Sequence, residues 1–317
     1  MELVSIGLAT YNGQKYIKEA IGSLLHQTHK NFELIISDDL SSDETQKICQ
    51  DFAKKDSRIR YFKQKKRLGF ASNFNFVLKK AHGKYFMWAG QDDLWDTNYI
   101  KTLLNLFQDC PEAVSAVSNY QNLFAGKRYN VTTHDFNNEC IDTFHSLLHF
   151  IKTNNLSYFY GLHKTDMLKK IGGYQIDSRP FFKSSDYLTI FKICLAGPLA
   201  FSNKVLFFKR DTGNFTNRFT LLEQHKLTEN VRSSILRYVT FPISFIYDFF
   251  YSIQYVIQSS FRKQEYLFPT QKLMLIFFIL LFFIKRNLQF MLSIFAGLVY
   301  FTKGFMFHLD ELRNRSQ

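Results

Sequence analysis

Hydrophobic and polar positions follow two alternating periods in the first part of the chain. Apolar runs of strand length occur at 3–10, 32–37 and 85–89, and a more exposed run occurs at 58–63. Between these runs apolar residues recur at helical spacing, first between residues 14 and 27. Strand and helix therefore alternate four times, and this order predicts a doubly wound α/β domain with a mostly parallel sheet.

Two of the predicted strands end in adjacent carboxylates. Asp38 and Asp39 follow the second strand, and Asp92 and Asp93 follow the fourth. Charge beside an apolar core must be paired or bound to a metal, and ligands of open α/β sheets bind beyond the carboxyl ends of the strands. A single Asp-Asp pair is more often a solvated turn, but two pairs on neighbouring strands favour a shared site. Oxygen ligands suit Mg²⁺ or Mn²⁺, which usually binds together with substrate phosphates.

The pattern continues beyond the fourth strand with a predicted helix at 100–107 and strands at 113–118 and 205–210. Residues 124–140 are polar and predict an irregular loop. The aromatic residues at 158–160 either stack on a ligand ring or belong to the core.

Two charged side chains lie at the ends of later elements. Asp186 opens a predicted helix, where the helix dipole by itself favours an acid in the first turn. Arg210 ends the closing strand, and its guanidinium is a candidate for a phosphate contact.

Net charge limits the classes of binding partner, and the cysteine spacing indicates the state of the thiols. The 317 residues include 40 Lys and Arg against 27 Asp and Glu, a net charge of +13. Positive charge favours phosphates or anionic lipid, but the basic residues are dispersed without a recognition motif, so nucleic acid is not expected. Cys49, Cys110, Cys140 and Cys194 show no paired spacing, so we expect reduced thiols. The start of the chain does not resemble a signal peptide, and we expect a cytoplasmic catalytic part.

Four motifs in a fixed order carry a family resemblance. They are TYNG from Thr10, ISDDLSSDET from Ile36, GFASNFNFVLKKAHGKY from Gly69 and GQDDLW from Gly90. Together they resemble a family 2 glycosyltransferase of the GT-A fold, and GQDDLW with NFN upstream resembles its bacterial rhamnosyltransferase-like branch. The resemblance covers roughly residues 3 to 210.

The resemblance implies which residues bind a nucleotide-sugar donor. Thr10 and Tyr11 match the segment that lies along the nucleotide base, and Asp39 matches the carboxylate that accepts a hydrogen bond from the base. The other residues expected to bind the donor are Asn12, Asp38, Asn73, Gln91, Asp92 and Arg210.

The resemblance also implies a metal ligand and a base. Asp93 matches the acid that holds the metal bridging the diphosphate, so Mg²⁺ or Mn²⁺ is the expected cofactor. Asp186 matches the general base that deprotonates the acceptor hydroxyl in an inverting single displacement. Family members often carry an acid where this chain has Gly90, a departure that would remove one polar contact to the donor.

The pattern changes to apolar helices from residue 241. An amphipathic stripe at 245–257 is followed by apolar runs at 273–284 and 288–302, each shorter than the about 20 residues of a spanning helix. Basic residues at their borders favour helices that lie at a membrane interface. A helical cap packed on the catalytic domain is the alternative.

These patterns divide the chain into two predicted domains. A GT-A catalytic domain occupies 1–215, with its donor half at about 1–95 and its acceptor half at about 96–215. A helical, membrane-associating region occupies 216–317.

The predicted activity is transfer of a sugar from a UDP- or dTDP-sugar to a hydroxyl of a lipid-linked or polysaccharide acceptor, at the cytoplasmic face of the membrane. A catalytically silent carbohydrate-binding or scaffold protein is one alternative, but retention of Asp39, Asp92, Asp93 and Asp186 argues against it. Another nucleotide-binding α/β transferase is the second alternative. It would need a phosphate loop rich in Gly and Lys, which TYNGQKY resembles poorly.

Overall fold

The computed structural model describes residues 2–124, 127–132, 136, 138–153, 155–175 and 185–211. The predicted membrane-associating region at 216–317 lies outside these residues, so that region and the domain boundary at residue 215 stay predictions. No helix within the described ranges combines the length and the apolar character that a membrane span requires.

One sheet organises the described part of the chain. Its strands are β1 (Val4–Thr10), β2 (Phe32–Asp38), β3 (Ile59–Lys63), β4 (Tyr85–Ala89), β5 (Leu94–Trp95), β6 (Ser115–Phe124), β7 (Lys127–Thr132), β8 (Cys140–Ile141), β9 (Leu162–Lys164) and β10 (Leu199–Arg210). The helices are α1 (Ile17–Leu25), α2 (Thr45–Lys55), α3 (Phe70–Lys79), α4 (Tyr99–Asp109), α5 (Thr143–Thr153), α6 (Thr165–Lys170) and α7 (Ser185–Leu195), with a 3-10 helix at Leu156–Tyr160.

The sheet is mostly parallel. Its strands lie in the order β3-β2-β1-β4-β9-β6-β10-β5, with β7 paired to β6 and β8 to β10. β1 is parallel to β2 and β4, β2 to β3, and β6 to β10. Because β9 is antiparallel to both β4 and β6, the strands β6 and β10 run in the same direction as β1. The predicted α/β class is confirmed, and the carboxyl ends of β1, β2, β4, β6 and β10 share one edge.

Burial follows the periods read from the sequence. Every residue of β2 and of β4 is buried, as expected for parallel strands covered on both faces. α1 buries Ile17, Ala20, Ile21 and Leu24 of the predicted apolar stripe, while its fifth member, Leu25, is half-buried. The first four strands and the helices between them therefore lie where the hydrophobic pattern predicts them.

The aromatic residues at 158–160 belong mainly to the hydrophobic core. Tyr158 and Phe159 are buried, and the Phe159 ring stacks on Trp88 of β4 with centroids 4.7 Å apart. Sugar stacking by these two rings is therefore excluded by their burial. Tyr160 is half-buried and lies against Phe207 of β10.

The predicted irregular loop at 124–140 is wrong for residues 127–132. β6 continues to Phe124, and β7 returns antiparallel along it. A hairpin strand pairs through backbone hydrogen bonds, which require no apolar period, so the polar sequence of β7 carries no strand signal. β8 and β5 have two residues each, too few for any periodicity.

The cysteines differ from the expectation of four reduced thiols. Cys110 and Cys140 form a disulfide across a sequence separation of 30 residues. α4, which ends next to Cys110, packs on β10, and β8, which begins at Cys140, pairs with β10. Tertiary packing thus brings together two cysteines that no sequence motif relates. Cys49 and Cys194 are free and buried.

Candidate active site

The ends of β1 and β4 are joined by the side chain of Gln91. Leu8 lies opposite Ala89 in the parallel pairing, which brings Thr10 level with the residues just beyond β4. The Thr10 hydroxyl donates to Gln91 Oε1 over 2.5 Å, and the Tyr11 backbone N–H donates to the same oxygen over 2.9 Å. The Gln91 amide therefore connects TYNG to GQDD.

Gly13 and Gly90 have no side chain, and polar groups of neighbouring residues lie where a Cβ atom would be. A Cβ atom at Gly13 would lie 2.5 Å from Gln91 Oε1. One at Gly90 would lie 2.5 Å from Asp93 Oδ2. A side chain at position 90 would therefore require the Asp93 carboxylate to move.

Asp92 and Asp93 form a close pair of acids at this edge. Asp93 is 2% exposed, and its Oδ1 accepts a hydrogen bond of 2.9 Å from the backbone N–H of Arg210. Burial and the neighbouring Asp92 carboxylate raise the pKa of Asp93 to about 8. Burial likewise raises the pKa of Asp92. Two carboxylates in one low-dielectric pocket repel each other when both are ionised.

This pair fits a divalent cation. Both side chains supply hard oxygen donors of the kind that Mg²⁺ and Mn²⁺ prefer. Among these oxygens, Asp93 Oδ1 accepts the backbone N–H of Arg210. A bound cation would also relieve the repulsion by Asp92 that contributes to the raised pKa of Asp93.

Asp186 lies at the start of α7, facing the same region. Its carboxylate accepts a short hydrogen bond from the hydroxyl of Tyr174. Burial raises the pKa of Asp186, while the Tyr174 hydrogen bond and the charge of Lys209 act in the opposite direction.

The three carboxylates share one electrostatic environment. Asp92, Asp93 and Asp186 all contribute to raising the pKa of Tyr160, after burial. Lys209 lowers the pKa of each of the three. Residues separated by more than ninety positions along the chain are thus brought to one place.

Asp39 organises the turn before α3. Its two oxygens accept hydrogen bonds from the backbone N–H groups of Leu68 at 2.6 Å and Gly69 at 3.0 Å. Arg67 Nε donates to the same carboxylate over 3.1 Å, and the Arg67 guanidinium lies 3.3 Å from the centroid of the Tyr11 ring. The predicted hydrogen bond between Asp39 and a nucleotide base stays a prediction.

Two of the residues predicted to bind the donor have hydrogen-bond partners inside the fold, and their contacts with the donor stay predictions. Asp38 is fully buried and accepts hydrogen bonds from Ser41 N and from the Tyr61 hydroxyl. Asn73 is buried with both ends of its amide bonded to Ser37. Strand and helix geometry directs both side chains into the protein. The position of a residue in a motif does not indicate this direction.

Asn12 and Arg210 are also predicted to contact the donor, and both have protein partners. Asn12 Oδ1 accepts from the backbone N–H of Ser42. Arg210 donates through its Nε to the carbonyl of Asp92 and through its Nη2 to Glu19, and its guanidinium lies over the Tyr16 ring. The structure therefore gives Arg210 a bracing role around Asp92, and its phosphate contact stays a prediction.

Comparison with known proteins decides the family. The model of the family described as glycosyl transferase family 2 matches residues 5–172, which is more than half of the chain. The chain belongs to glycosyl transferase family 2.

The chain is similar to curated proteins named as glycosyltransferases. An uncharacterized glycosyltransferase of Haemophilus influenzae is 25% identical over 240 residues, covering 74% of each chain. The enzyme WfaP of Escherichia coli, a UDP-Glc:alpha-D-GlcNAc-diphosphoundecaprenol beta-1,3-glucosyltransferase, is 40% identical over 120 residues. That match covers 38% of this chain and 47% of WfaP.

Solved structures confirm the GT-A fold of the family 2 catalytic domain. The crystal structure of S. aureus TarS 1-349 superposes with a TM-score of 0.60 at 18% identity, covering 88% of this chain and 71% of that one. A crystal structure of GalNAc-T7 with UDP, GalNAc and Mn²⁺ superposes with a TM-score of 0.51 at 13% identity, covering 67% and 44%. At these identities the similarity establishes the fold.

Sequence reasoning on this family 2 domain missed three residues near the carboxylates. Sequence patterns do not indicate Tyr174, because its partner Asp186 lies 12 positions away and no periodicity relates the two. Tyr160 and Lys209 were treated as parts of an aromatic run and a strand. The one available signal was the adjacent pair Gly172 and Gly173, whose positive φ angles mark a backbone shaped for a specific neighbour.

Proposed function

We propose that this glycosyltransferase moves a sugar from a UDP- or dTDP-sugar to a hydroxyl of a lipid-linked or polysaccharide acceptor, with a divalent metal and with inversion at the anomeric carbon. The observation that carries the proposal is the convergence of Asp92, Asp93 and Asp186 around Tyr160 and Lys209. The pair of acids can hold a metal on the donor side, and the single separate acid can accept a proton on the acceptor side.

The donor side of the site lies at the ends of β1 and β4. Thr10, Tyr11 and Gln91 form a connected surface there, and Arg67 lies on the Tyr11 ring. We assign the nucleotide to this surface. Asp92 and Asp93 would hold the metal, which when bound supplies positive charge to the diphosphate leaving group.

The acceptor side lies at Asp186. In the proposed step, an acceptor hydroxyl oxygen forms a bond to the anomeric carbon while the bond from that carbon to the diphosphate oxygen breaks. The electron pair leaves with the nucleoside diphosphate, and the hydroxyl proton passes to the Asp186 carboxylate. The raised pKa of Asp186 suits a group that takes up a proton near neutral pH.

The known relatives support the substrate classes. WfaP has a UDP-glucose donor and a diphosphoundecaprenol acceptor in its name, and TarS has been crystallised with UDP-GlcNAc. Mn²⁺ accompanies UDP in GalNAc-T7. The membrane location that a lipid-linked acceptor needs is proposed for the residues beyond 216.

A donor screen tests this function. Full-length protein is incubated with UDP- and dTDP-sugars and an undecaprenyl-diphosphate-sugar or oligosaccharide acceptor, with Mg²⁺, with Mn²⁺ or with EDTA. We expect turnover of one donor class that EDTA abolishes, and NMR should show the opposite anomeric configuration in the product. The Asp186→Asn variant should bind the donor normally and transfer about 10²–10⁴-fold more slowly.

Two outcomes would reject the proposal. Donor binding without turnover under any condition would indicate a silent carbohydrate-binding protein. Transfer that persists unchanged in EDTA would remove the metal from the mechanism.

A further inference from the structure

We propose that Tyr174 is a positioning residue that fixes the orientation of the Asp186 carboxylate through its hydroxyl. The inference rests on the proposed role of Asp186 as the base. The Tyr174 hydroxyl donates a short hydrogen bond to Asp186 Oδ1, and Tyr174 is 3% exposed. A carboxylate with one oxygen held in this way presents the other oxygen in a defined direction.

The backbone of Tyr174 is held by a single side chain from α3. The Tyr174 N–H donates to Asn75 Oδ1 over 2.8 Å, and Asn75 Nδ2 donates to the Tyr174 carbonyl over 2.7 Å. The amide of Asn75 thus occupies both backbone groups of one residue that is 99 positions away. Because this pairing is bidentate, it restricts rotation as well as position.

Gly173 makes this pairing possible. Its φ angle is +66°, and residues other than glycine rarely adopt this left-handed conformation. A Cβ atom there would also overlap Asn75 Oδ1. The glycine therefore serves the approach of Asn75 to the Tyr174 backbone.

The ring of Tyr174 is enclosed by other aromatic rings. It stacks on Phe74 with centroids 5.5 Å apart and an interplanar angle of 23°. Phe159 and Phe70 contact it edge-on. With the backbone held by Asn75 and the ring packed among aromatic side chains, the hydroxyl is held at Asp186.

This arrangement has a chemical consequence. A hydrogen bond to the ionised carboxylate stabilises the form that accepts a proton, and it opposes the effect of burial on the pKa of Asp186. Within the described ranges, Lys209 and Tyr160 are the other titratable groups that interact with Asp186. Loss of the Tyr174 hydroxyl should leave a base that is less often ionised at neutral pH and less well aimed.

The test compares three variants with the wild-type full chain. Tyr174→Phe keeps the ring and its packing but removes the hydroxyl. Asn75→Ala keeps the hydroxyl but releases the backbone. Tyr85→Phe removes a buried phenolic hydroxyl at the far end of β4 and serves as the matched control.

We expect Tyr174→Phe to lower kcat roughly 10- to 100-fold, the effect of one hydrogen bond to a charged group, with an unchanged donor KM. The acidic limb of its kcat profile should shift to higher pH. Asn75→Ala should lower kcat in the same direction, and Tyr85→Phe should match the wild type. A Tyr174→Phe variant with wild-type kcat and an unshifted acidic limb would overturn the proposal.

A second readout separates this inference from the proposed function. Carboxyl ¹³C NMR of Asp-labelled protein, with Asp186 assigned through Asp186→Asn, follows its titration without any substrate. A higher midpoint in Tyr174→Phe is expected even if no donor is turned over, in which case the proposed function fails and the contact stands. Identical midpoints in wild type and Tyr174→Phe would overturn the contact itself.

Discussion

At the scale of single residues, Asp93 combines burial, a like-charged neighbour and one hydrogen bond. Its neutral amide analogue Asp93→Asn keeps the shape but removes the charge that a cation needs. We expect this variant to lose metal-dependent donor turnover completely while remaining folded. Turnover titrated with Mg²⁺ and Mn²⁺, together with circular dichroism, measures both effects.

The matched control for this variant is Asp51→Asn. Asp51 lies on the surface of α2 and pairs only with Lys54 among the described contacts, so its neutralisation should leave the metal titration unchanged. Wild-type turnover and an unchanged titration in Asp93→Asn would remove this residue from the site.

Asp39 permits a second prediction, because its carboxylate holds the turn at 67–69. Asp39→Ala should leave two backbone N–H groups without acceptors and release Arg67 from its place over Tyr11. We expect the donor KM to rise by about 10-fold or more with little change in kcat, because the interaction is made equally in ground and transition states.

Calorimetric titration with UDP and steady-state kinetics measure this effect. Asp142→Ala is the control, since Asp142 also accepts from two backbone N–H groups at a helix start, in α5. A fall in kcat at unaltered donor affinity would assign Asp39 to the chemical step instead.

At the scale of elements, β9 is the short antiparallel strand between β4 and β6, and it carries a buried histidine. His163 Nε2–H donates to the carbonyl of Phe159, and its Nδ1 accepts from the Ser115 hydroxyl. Burial lowers the pKa of His163 from 6.5 to about 4. The ring is therefore neutral in the folded protein at physiological pH.

This shift predicts a loss of stability in mild acid. Below pH 6.5 the unfolded chain binds a proton at this histidine while the folded chain does not, so the contribution present above pH 6.5 is lost as pH falls towards 4. We expect the free energy of unfolding to fall by about 2 kcal/mol between pH 7 and pH 5.

Urea unfolding at a series of pH values measures this fall, with His163→Gln as the variant that lacks a titrating ring. The variant should be less stable at pH 7 but should show a flatter profile between pH 7 and pH 5. An equally steep profile in the variant would place the titrating group elsewhere.

Elements also show how far the sequence could predict this protein. β1 to β4 and their helices were predictable because long apolar periods specify them. Asp92, Asp93 and Asp186 were predicted as site residues because they match positions of the family motifs. β5, β8 and β9 were not predictable, since strands of two or three residues have no period. The inward direction of Asp38 and Asn73 was hidden for another reason, because it depends on how a strand end and a helix pack together.

At the scale of the whole molecule, the net charge of +13 and the apolar residues beyond 241 motivate the last prediction. Truncation after Thr240 should give a soluble protein that still hydrolyses donor, while the full chain should sediment with membranes. High salt should release the full chain only in part, because salt screens charge but not apolar burial.

Membrane fractionation of both chains, with and without salt, makes this measurement. Full-length protein found entirely in the soluble fraction would contradict the prediction. A truncated chain that cannot fold would instead identify the region as a cap on the catalytic domain.

The order in which the chain leaves the ribosome gives the Arg210–Asp93 hydrogen bond a further consequence. The acids of GQDD are synthesised long before β10, whose last residue supplies the backbone N–H for Asp93 across 117 positions. Asn75 is likewise synthesised 99 positions before its hydrogen-bond partner Tyr174. Contacts of such long range form late in folding. A nascent chain therefore carries the TYNG and GQDD motifs well before the hydrogen bonds of Arg210 and Tyr174 can form.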